Sequence, residues 1–129
     1  MKRFSTKWKS STKPRKQRKY RLSAPLHIKQ KLVNAHLSKD LRKKYKRRSI
    51  GLRKGDQVKI MQGGFKKHSG KIEKIELKMT RVYVSGAETT KKDGTKKMIA
   101  IHPSNIMIIE LNLDDKLRQK SLEMKQDGK

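Results

Sequence analysis

The chain has 129 residues, a formal net charge of +26 and no cysteine; 37% of its residues are charged and 32% are hydrophobic. This length and composition predict one domain with a small core, and the lack of cysteine excludes disulfides, thiolate nucleophiles and cysteine-ligated zinc. The longest apolar runs, residues 98–101 and 106–109, have four residues each and are far too short to cross a bilayer. The basic N-terminus has no apolar segment, so no secretory signal is predicted.

The positive charge is concentrated at the start of the chain. Residues 1–53 contain 20 Lys or Arg and one acid, Asp40, whereas residues 54–109 contain 12 cations and five acids, and residues 110–129 contain five of each. A segment with so little acid repels itself and needs a polyanion to neutralise it. Nucleic acid is the favoured polyanion, and an anionic membrane surface is the alternative.

Residues 1–22 are predicted to form a basic RNA-binding arm without regular structure, because no apolar period appears in them. The same composition is typical of a disordered tail. The two interpretations are compatible, because a tail that is disordered in the free protein can become ordered when it binds RNA. Trp8 and Tyr20 are expected to stack on unpaired bases, with packing on protein as the alternative for Trp8. The candidate RNA-binding residues of the arm are Lys2, Arg3, Lys7, Trp8, Lys9, Lys13, Arg15, Lys16, Arg18, Lys19, Tyr20 and Arg21.

Residues 23–49 are predicted to form a basic, helical extension. Ser23 is a candidate N-cap, Pro25 suits a first turn, and apolar side chains follow at mostly four-residue spacing as far as Tyr45. Ser38 is a candidate cap for a second helix, which would split the segment near Asn34. Because almost no acid balances the cations, they are expected to face phosphate. These cations are Lys29, Lys31, Arg42, Lys43, Lys46, Arg47 and Arg48.

Residues 50–113 are predicted to form a small β-barrel of five short strands. Val58 and Ile60 alternate with polar residues, and a second strand starts at Ile72, where the step to Ile75 breaks the two-residue period and indicates a bulge. Three further features complete the pattern: a strand at residues 82–84, a hairpin turning at Asp93-Gly94, and a last strand at residues 106–109.

Residues 114–129 are predicted to form a short helix and a frayed tail. Asn112 or Asp114 is expected to cap this helix, and Leu113, Leu117 and Leu122 are expected to pack against the barrel.

A glycine-rich loop joins the first two predicted strands of the barrel. Gly63 and Gly70 are candidates for positive φ or for close approach to another group, and Phe65 is either an anchor of the loop or a wedge against a base. An ordinary turn is the plain interpretation, but the surrounding lysines favour contact with RNA. The candidate RNA-binding residues of the loop are Gly63, Lys66, Lys67, His68, Gly70 and Lys71.

Eight residues in and around this loop follow the residue types and spacing of a known sequence motif: Gly55, Asp56, Val58, Ile60, Gly63, Lys67, Gly70 and Ile72. They resemble the KOW motif, a small β element of ribosomal and transcription-elongation proteins. Residues 23–28, 37–42 and 101–106 resemble, in the same order, patches of one KOW family. That family is number twenty-four of the large-subunit ribosomal proteins, in its archaeal and eukaryotic form, and the similarity covers roughly residues 15–120.

The resemblance implies a mostly β fold, an SH3-like KOW barrel with a basic, partly helical N-terminal extension and a short C-terminal helix. It implies a structural constituent of the large subunit that binds large-subunit rRNA near the polypeptide tunnel exit and supports early assembly. The implied partners are this rRNA, neighbouring ribosomal proteins and factors that dock at the exit, in the cytoplasm. No membrane, cofactor, metal or small-molecule substrate is implied, and the short C-terminus favours an archaeal source.

Two other classes of function remain as alternatives. A KOW-type transcription-elongation factor or a nucleoid-associated protein would also bind nucleic acid, although the elongation factors carry a globular domain before the motif. An enzyme is not predicted, because Glu73 and Glu76 are expected on different faces of a strand and the four histidines have no metal-ligand spacing. The chain also lacks the phosphate-binding, nucleophile-elbow and zinc-protease motifs.

Overall fold

The computed structural model describes residues 4–123, which form four helices and eight strands. The helices are α1 (Pro14–Ser23), α2 (Leu26–Leu32), α3 (Lys39–Tyr45) and α4 (Lys116–Glu123), and short 3₁₀ turns occupy Thr6–Ser10 and Pro103–Asn105. The strands are β1 (Asn34–Leu37), β2 (Ser49–Gly51), β3 (Gln57–Ile60), β4 (Ser69–Glu76), β5 (Arg81–Val84), β6 (Glu88–Thr90), β7 (Lys96–Met98) and β8 (Ile106–Glu110).

Six strands form one sheet in the order β2-β1-β8-β3-β4-β5, and β6 and β7 form a separate hairpin. The β1–β8 pair is parallel and the other pairs are antiparallel. Val82 of β5 also bridges to Ile101, ahead of β8. No pairing among residues 4–123 closes the six strands into a ring. The fold is therefore mixed helix and sheet, where a mostly β protein was predicted.

The core lies on the face of the sheet to which alternate residues of each strand point. Val58 and Ile60 of β3 are buried, as are their counterparts on β5 and β8. This alternation follows from the two-residue side-chain period of a strand. The buried core comprises Val33, Ala35, Leu37, Leu52, Val58, Ile60, Ile72, Val82, Val84, Ala87, Ile101, Ile106 and Ile108.

The predicted bulge and hairpin are confirmed. The register between β4 and β5 shifts between Ile72 and Lys74, so that Ile72 pairs with Val84 and Ile75 with Val82. The β6–β7 hairpin turns at Gly94, whose φ of 81° suits a glycine.

The prediction that the arm lacks regular structure is wrong for residues 4–22, which are largely helical. Pro14 begins α1, where its fixed φ and missing N–H cost nothing, and Arg, Lys and Gln have good helix propensity. The Gln17 side chain adds tertiary support, because its Nε2 donates to the carbonyls of Trp8 (3.2 Å), Lys9 (3.0 Å) and Ser11 (2.7 Å). Packing of short helices against each other needs no long apolar period, which is why the periodicity missed them.

The extension is only partly helical. Its centre forms β1, which lies between β2 and β8, so pairing on both edges overrides the helical spacing. Ser23 ends α1 and does not cap α2. The Ser38 prediction is confirmed, because its Oγ accepts from Leu41 N at 3.4 Å at the start of α3. Leu26, the first of the apolar residues at the predicted four-residue spacing, is 55% exposed.

The C-terminal helix is confirmed as α4, with a different start and a different inner face. Asp115 Oδ1 accepts from Leu117 N at 2.9 Å, in place of the predicted caps Asn112 and Asp114. Leu122 is buried as expected, but Leu117 is 77% exposed, and Arg118 faces inward.

Candidate nucleic-acid interface

The loop between β3 and β4 presents cations from a fixed backbone. Ile60 N donates to His68 O at 2.8 Å, and Lys67 N donates to Ile60 O at 2.9 Å, so the hairpin is closed at its base. Gly63 has a φ of 97°, which confirms its predicted positive φ, and Lys67 adopts a φ of 73° that is uncommon for a non-glycine residue. Lys66, Lys67 and, at the start of β4, Lys71 are exposed.

Phe65 and His68 hold the loop from inside. Phe65 packs against the core, and its ring meets the His68 ring edge-on with centroids 6.5 Å apart. His68 Nε2 lies 2.8 Å from Ser85 O, and a side chain on Gly86 would collide with this imidazole. His68 is thus bonded within the protein, and the packing of Phe65 against the core supports its role as an anchor of the loop.

Gly70 is needed for close approach and not for positive φ. It is not among the residues of positive φ. A Cβ at Gly70 would lie 2.5 Å from Ser85 O and 2.8 Å from Ser85 Oγ, so the glycine permits the backbone of β4 to approach the end of β5. Lys71 N donates to the same Oγ at 2.9 Å.

The aromatic residues of the arm contact one another. Phe4 lies 5.3 Å from the Tyr20 ring and 6.3 Å from the Trp8 ring, between centroids. Tyr20 is buried, and Lys19 Nζ lies 4.9 Å above the Trp8 ring. Tyr20 is therefore not available for base stacking in this structure, whereas Trp8 is half-buried and its stacking on RNA stays a prediction.

The cations of the arm surround this aromatic cluster and are exposed. They are Lys7, Lys9, Lys13, Arg15, Lys16, Arg18, Lys19 and Arg21. The remaining candidates of the arm, Lys2 and Arg3, lie outside the described residues. The exposed set covers both helical segments of the arm and leaves its small aromatic core inside.

The cations of the extension divide into exposed and internally bonded side chains. Lys31, Lys43, Lys46 and Arg48 are exposed, and Lys46 ends α3 with a φ of 48°. Arg42 is also exposed, but its Nε donates to Leu37 O at 2.8 Å. Two candidates are directed to the protein: Lys29 is buried and its Nζ donates to Lys78 O at 3.1 Å, and Arg47 donates to Ser121 O. Lys29 thus joins α2 to the turn after β4.

A buried ion pair that attaches α4 to the sheet was not predicted from the sequence. Asp56 and Arg118 form two contacts, with Nη1–Oδ1 at 2.6 Å and Nη2–Oδ2 at 2.8 Å. Asp56 also accepts from the backbone N–H groups of Arg53 and Asn112, each at 2.9 Å. An aspartate in a KOW-like motif and an arginine 62 residues away have no common sequence pattern, so only the fold reveals the pair.

The described part of the chain offers neither a metal site nor a membrane span. Between residues 4 and 123, no three His, Asp or Glu side chains lie together in a way that could hold a metal ion. Over the same range, no helix is long and apolar enough to cross a membrane.

Comparison with known proteins decides the family. A family model of ribosomal proteins, described as L26 in eukaryotes together with its archaeal counterpart, matches residues 11–125. The chain belongs to this ribosomal L26 family. It is also 46% identical over 115 residues to the large ribosomal subunit protein uL24 of Methanosphaera stadtmanae, which covers 89% of this chain and 98% of that relative.

Membership of the ribosomal L26 family confirms the resemblance seen in the KOW-like residues. The chain is a ribosomal protein of the large subunit, works with the ribosome in the cytoplasm, and is not an enzyme. Family membership therefore favours a ribosomal role over the transcription-elongation and nucleoid-associated alternatives.

Proposed function

We propose that the protein binds large-subunit rRNA through three exposed basic surfaces. They are formed by residues 7–21 of the arm, residues 31–48 of the extension and residues 63–71 of the loop. The observation that supports this proposal is the shortage of internal counter-charge. Leaving Lys46 aside, the cations that form ion pairs with carboxylates among residues 4–123 are Arg53, Lys96 and Arg118. None of these three residues belongs to the basic surfaces. Cations held on a folded scaffold with few acids beside them release counterions when they meet phosphate.

The family resemblance supports two finer proposals. One is a position near the polypeptide tunnel exit, among neighbouring ribosomal proteins and accessible to factors that dock there. The other is a role in early assembly, for which binding to bare rRNA is the physical requirement. The division into an arm (1–22), an extension (23–49), a barrel (50–113) and a C-terminal helix (114–129) belongs to the same proposal. The Val82–Ile101 bridge is the contact from which an SH3-like closure of the sheet would grow.

The test compares two triple variants of equal charge in binding a large-subunit rRNA fragment. The first replaces Lys66, Lys67 and Lys71 by Ala. Since these side chains are exposed, the fold should remain, while affinity falls. The slope of log K against log salt should become shallower by about 0.7–0.9 for each phosphate that the variant no longer neutralises.

The control variant replaces Lys92, Lys116 and Lys120, which are exposed but belong to none of the three surfaces. It removes the same net charge and should change the salt slope much less. Equal slopes for the two variants would show that only net charge matters and would refute the loop as a specific contact. Co-sedimentation of the full chain with large subunits, with release at high salt, tests the wider proposal.

A further inference from the structure

An open groove of about 640 Å³ lies between strands β4 and β5 on one side and the β6–β7 hairpin with the two residues after β7 on the other. It is separate from the three basic surfaces, because none of its described lining residues belongs to them. These lining residues are Lys74, Tyr83, Thr89, Lys97, Met98, Ile99 and Ala100.

The bulge in β4 builds this groove. Because the register shifts after Ile72, both Ile72 and Ile75 pair with buried valines, and Lys74 comes to lie directly opposite Tyr83. Tyr83 is half-buried between the buried Val82 and Val84, so its ring projects from the opposite face of the sheet. Without the extra residue, a strict two-residue alternation could not place Ile72 and Ile75 on the same face.

The Tyr83 ring is held in place and is half-buried. Its hydroxyl donates to Glu76 Oε2 at 3.2 Å, which fixes the outer end of the ring. Lys74 Nζ lies over one face of the ring, 5.7 Å from its centroid, on an exposed side chain that would have to move aside for a base to stack on that face. The pKa of Tyr83 is raised, by desolvation first and then by the Glu76 hydrogen bond, so the phenol remains a neutral donor.

The groove combines an aromatic ring, apolar side chains and cations. Met98 and Ile99 are half-buried apolar residues of the lining, Lys74 and Lys97 are exposed, and none of the described lining residues is Asp or Glu. Its volume is in the range of pockets that bind small ligands. Proteins recognise unpaired bases by stacking them on aromatic side chains while cations neutralise the adjoining phosphates.

We propose that this groove binds one unpaired nucleotide of RNA, with its base on the Tyr83 ring and its phosphates on Lys74 and Lys97. The lining carries Lys74 and Lys97, and the carboxylate of Glu76 beside it already accepts from the Tyr83 hydroxyl, so the remaining positive charge favours a polyanion such as RNA over a peptide. The inference rests on the proposed binding of rRNA, but it adds a contact that reads a base, whereas the three basic surfaces contact phosphate.

The test uses the full chain with two RNA probes, a uridine decamer and a decamer of the same backbone with abasic sites. Tyr83→Val removes the ring but suits a strand, and Tyr83→Phe keeps the ring. At raised salt, measured by fluorescence anisotropy, Tyr83→Val should bind the uridine decamer about 5- to 100-fold more weakly than the wild type. Tyr83→Phe should stay within about two-fold of the wild type, and all three proteins should bind the abasic decamer equally.

A second measurement on the wild-type protein keeps the test valid if Tyr83→Val fails to fold. A decamer carrying 5-iodouridine is cross-linked by light, and the attached residue is found by mass spectrometry. A cross-link at Tyr83 or on residues 97–100 supports the groove. Cross-links confined to residues 4–21 and 63–71, or equal binding of the uridine decamer by the Val and Phe variants, overturn it while RNA binding itself stands. Failure of both decamers to bind overturns the proposed function as well.

Discussion

Arg118→Ala tests how strongly the C-terminal helix is attached to the sheet. The substitution leaves Asp56 completely buried and without its guanidinium, while two backbone N–H groups still donate to the carboxylate. It also removes the donors to Asn112 O (2.8 Å) and Gly51 O (3.1 Å).

The expected loss of stability is large. Removing one member of a buried, hydrogen-bonded ion pair costs about 3–5 kcal/mol, because the remaining buried charge has lost its counter-charge. A domain of this size has a total stability of roughly 5–15 kcal/mol. Each kcal/mol corresponds to roughly 3–5 °C in a chain of about this length, so the midpoint should fall by about 9–25 °C.

Thermal unfolding followed by circular dichroism measures this change, with Arg53→Ala as the matched control. The Arg53–Asp115 pair lies on the surface, with side chains 49% and 31% exposed, and such pairs contribute about 0–1 kcal/mol. The double variant Asp56→Asn with Arg118→Met should recover part of the stability, because neither charge is then buried alone. If Arg118→Ala and Arg53→Ala melted at the same temperature, the reasoning about burial would be refuted.

Three further predictions concern other parts of the fold. Gly70→Ala should lower stability by about 1–3 kcal/mol in chemical denaturation, since the new Cβ would collide with the Ser85 carbonyl. Burial, and then two nearby arginines, lower the pKa of His102, so folding favours the neutral ring. The unfolded chain therefore binds a proton more readily, and the stability present above the ordinary histidine pKa near 6.5 should be lost as the pH drops below about 6.5. Gln17→Ala should speed tryptic cleavage within residues 6–23, because it removes three hydrogen bonds that join the arm's two helical segments.

Each of these has its own control. Gly64→Ala, where the added Cβ would meet nothing within 4 Å, should be far milder than Gly70→Ala. His102→Asn keeps an acceptor for Ser104 N without titrating, so its melting temperature should depend less on pH between about 7.5 and 5.5. For the arm, a cleavage rate unchanged by Gln17→Ala would count against the role of that side chain.

The strands around the loop were predictable because they depend on local signals. Alternation at Val58 and Ile60, the irregular step after Ile72 and the Asp93-Gly94 turn are all readable within a few residues, and each is confirmed. The exposure of the lysines at residues 66, 67 and 71 was predictable from the glycine-rich loop that carries them. Their contact with RNA stays a prediction.

The failures occurred where distant parts of the chain meet. Residues 34–37 have the spacing of a helix but are a strand because β2 and β8 flank them. Tyr20 looked like a free stacking residue and is buried against Phe4, and Lys29 looked like a phosphate ligand and reaches Lys78 O. No short window of sequence contains these partners, so composition alone assigned too many side chains to RNA.

The position of β8 has a consequence for the order in which the chain can fold. Among the described strands β8 is the last to be synthesised, yet it lies inside the sheet, between β1 and β3. Until residues 106–110 emerge, two strand edges have no partner, and open edges are sites of aggregation. A nascent chain therefore exposes its basic arm first and completes its sheet last, and any product that stops before β8 remains a substrate for proteases and chaperones.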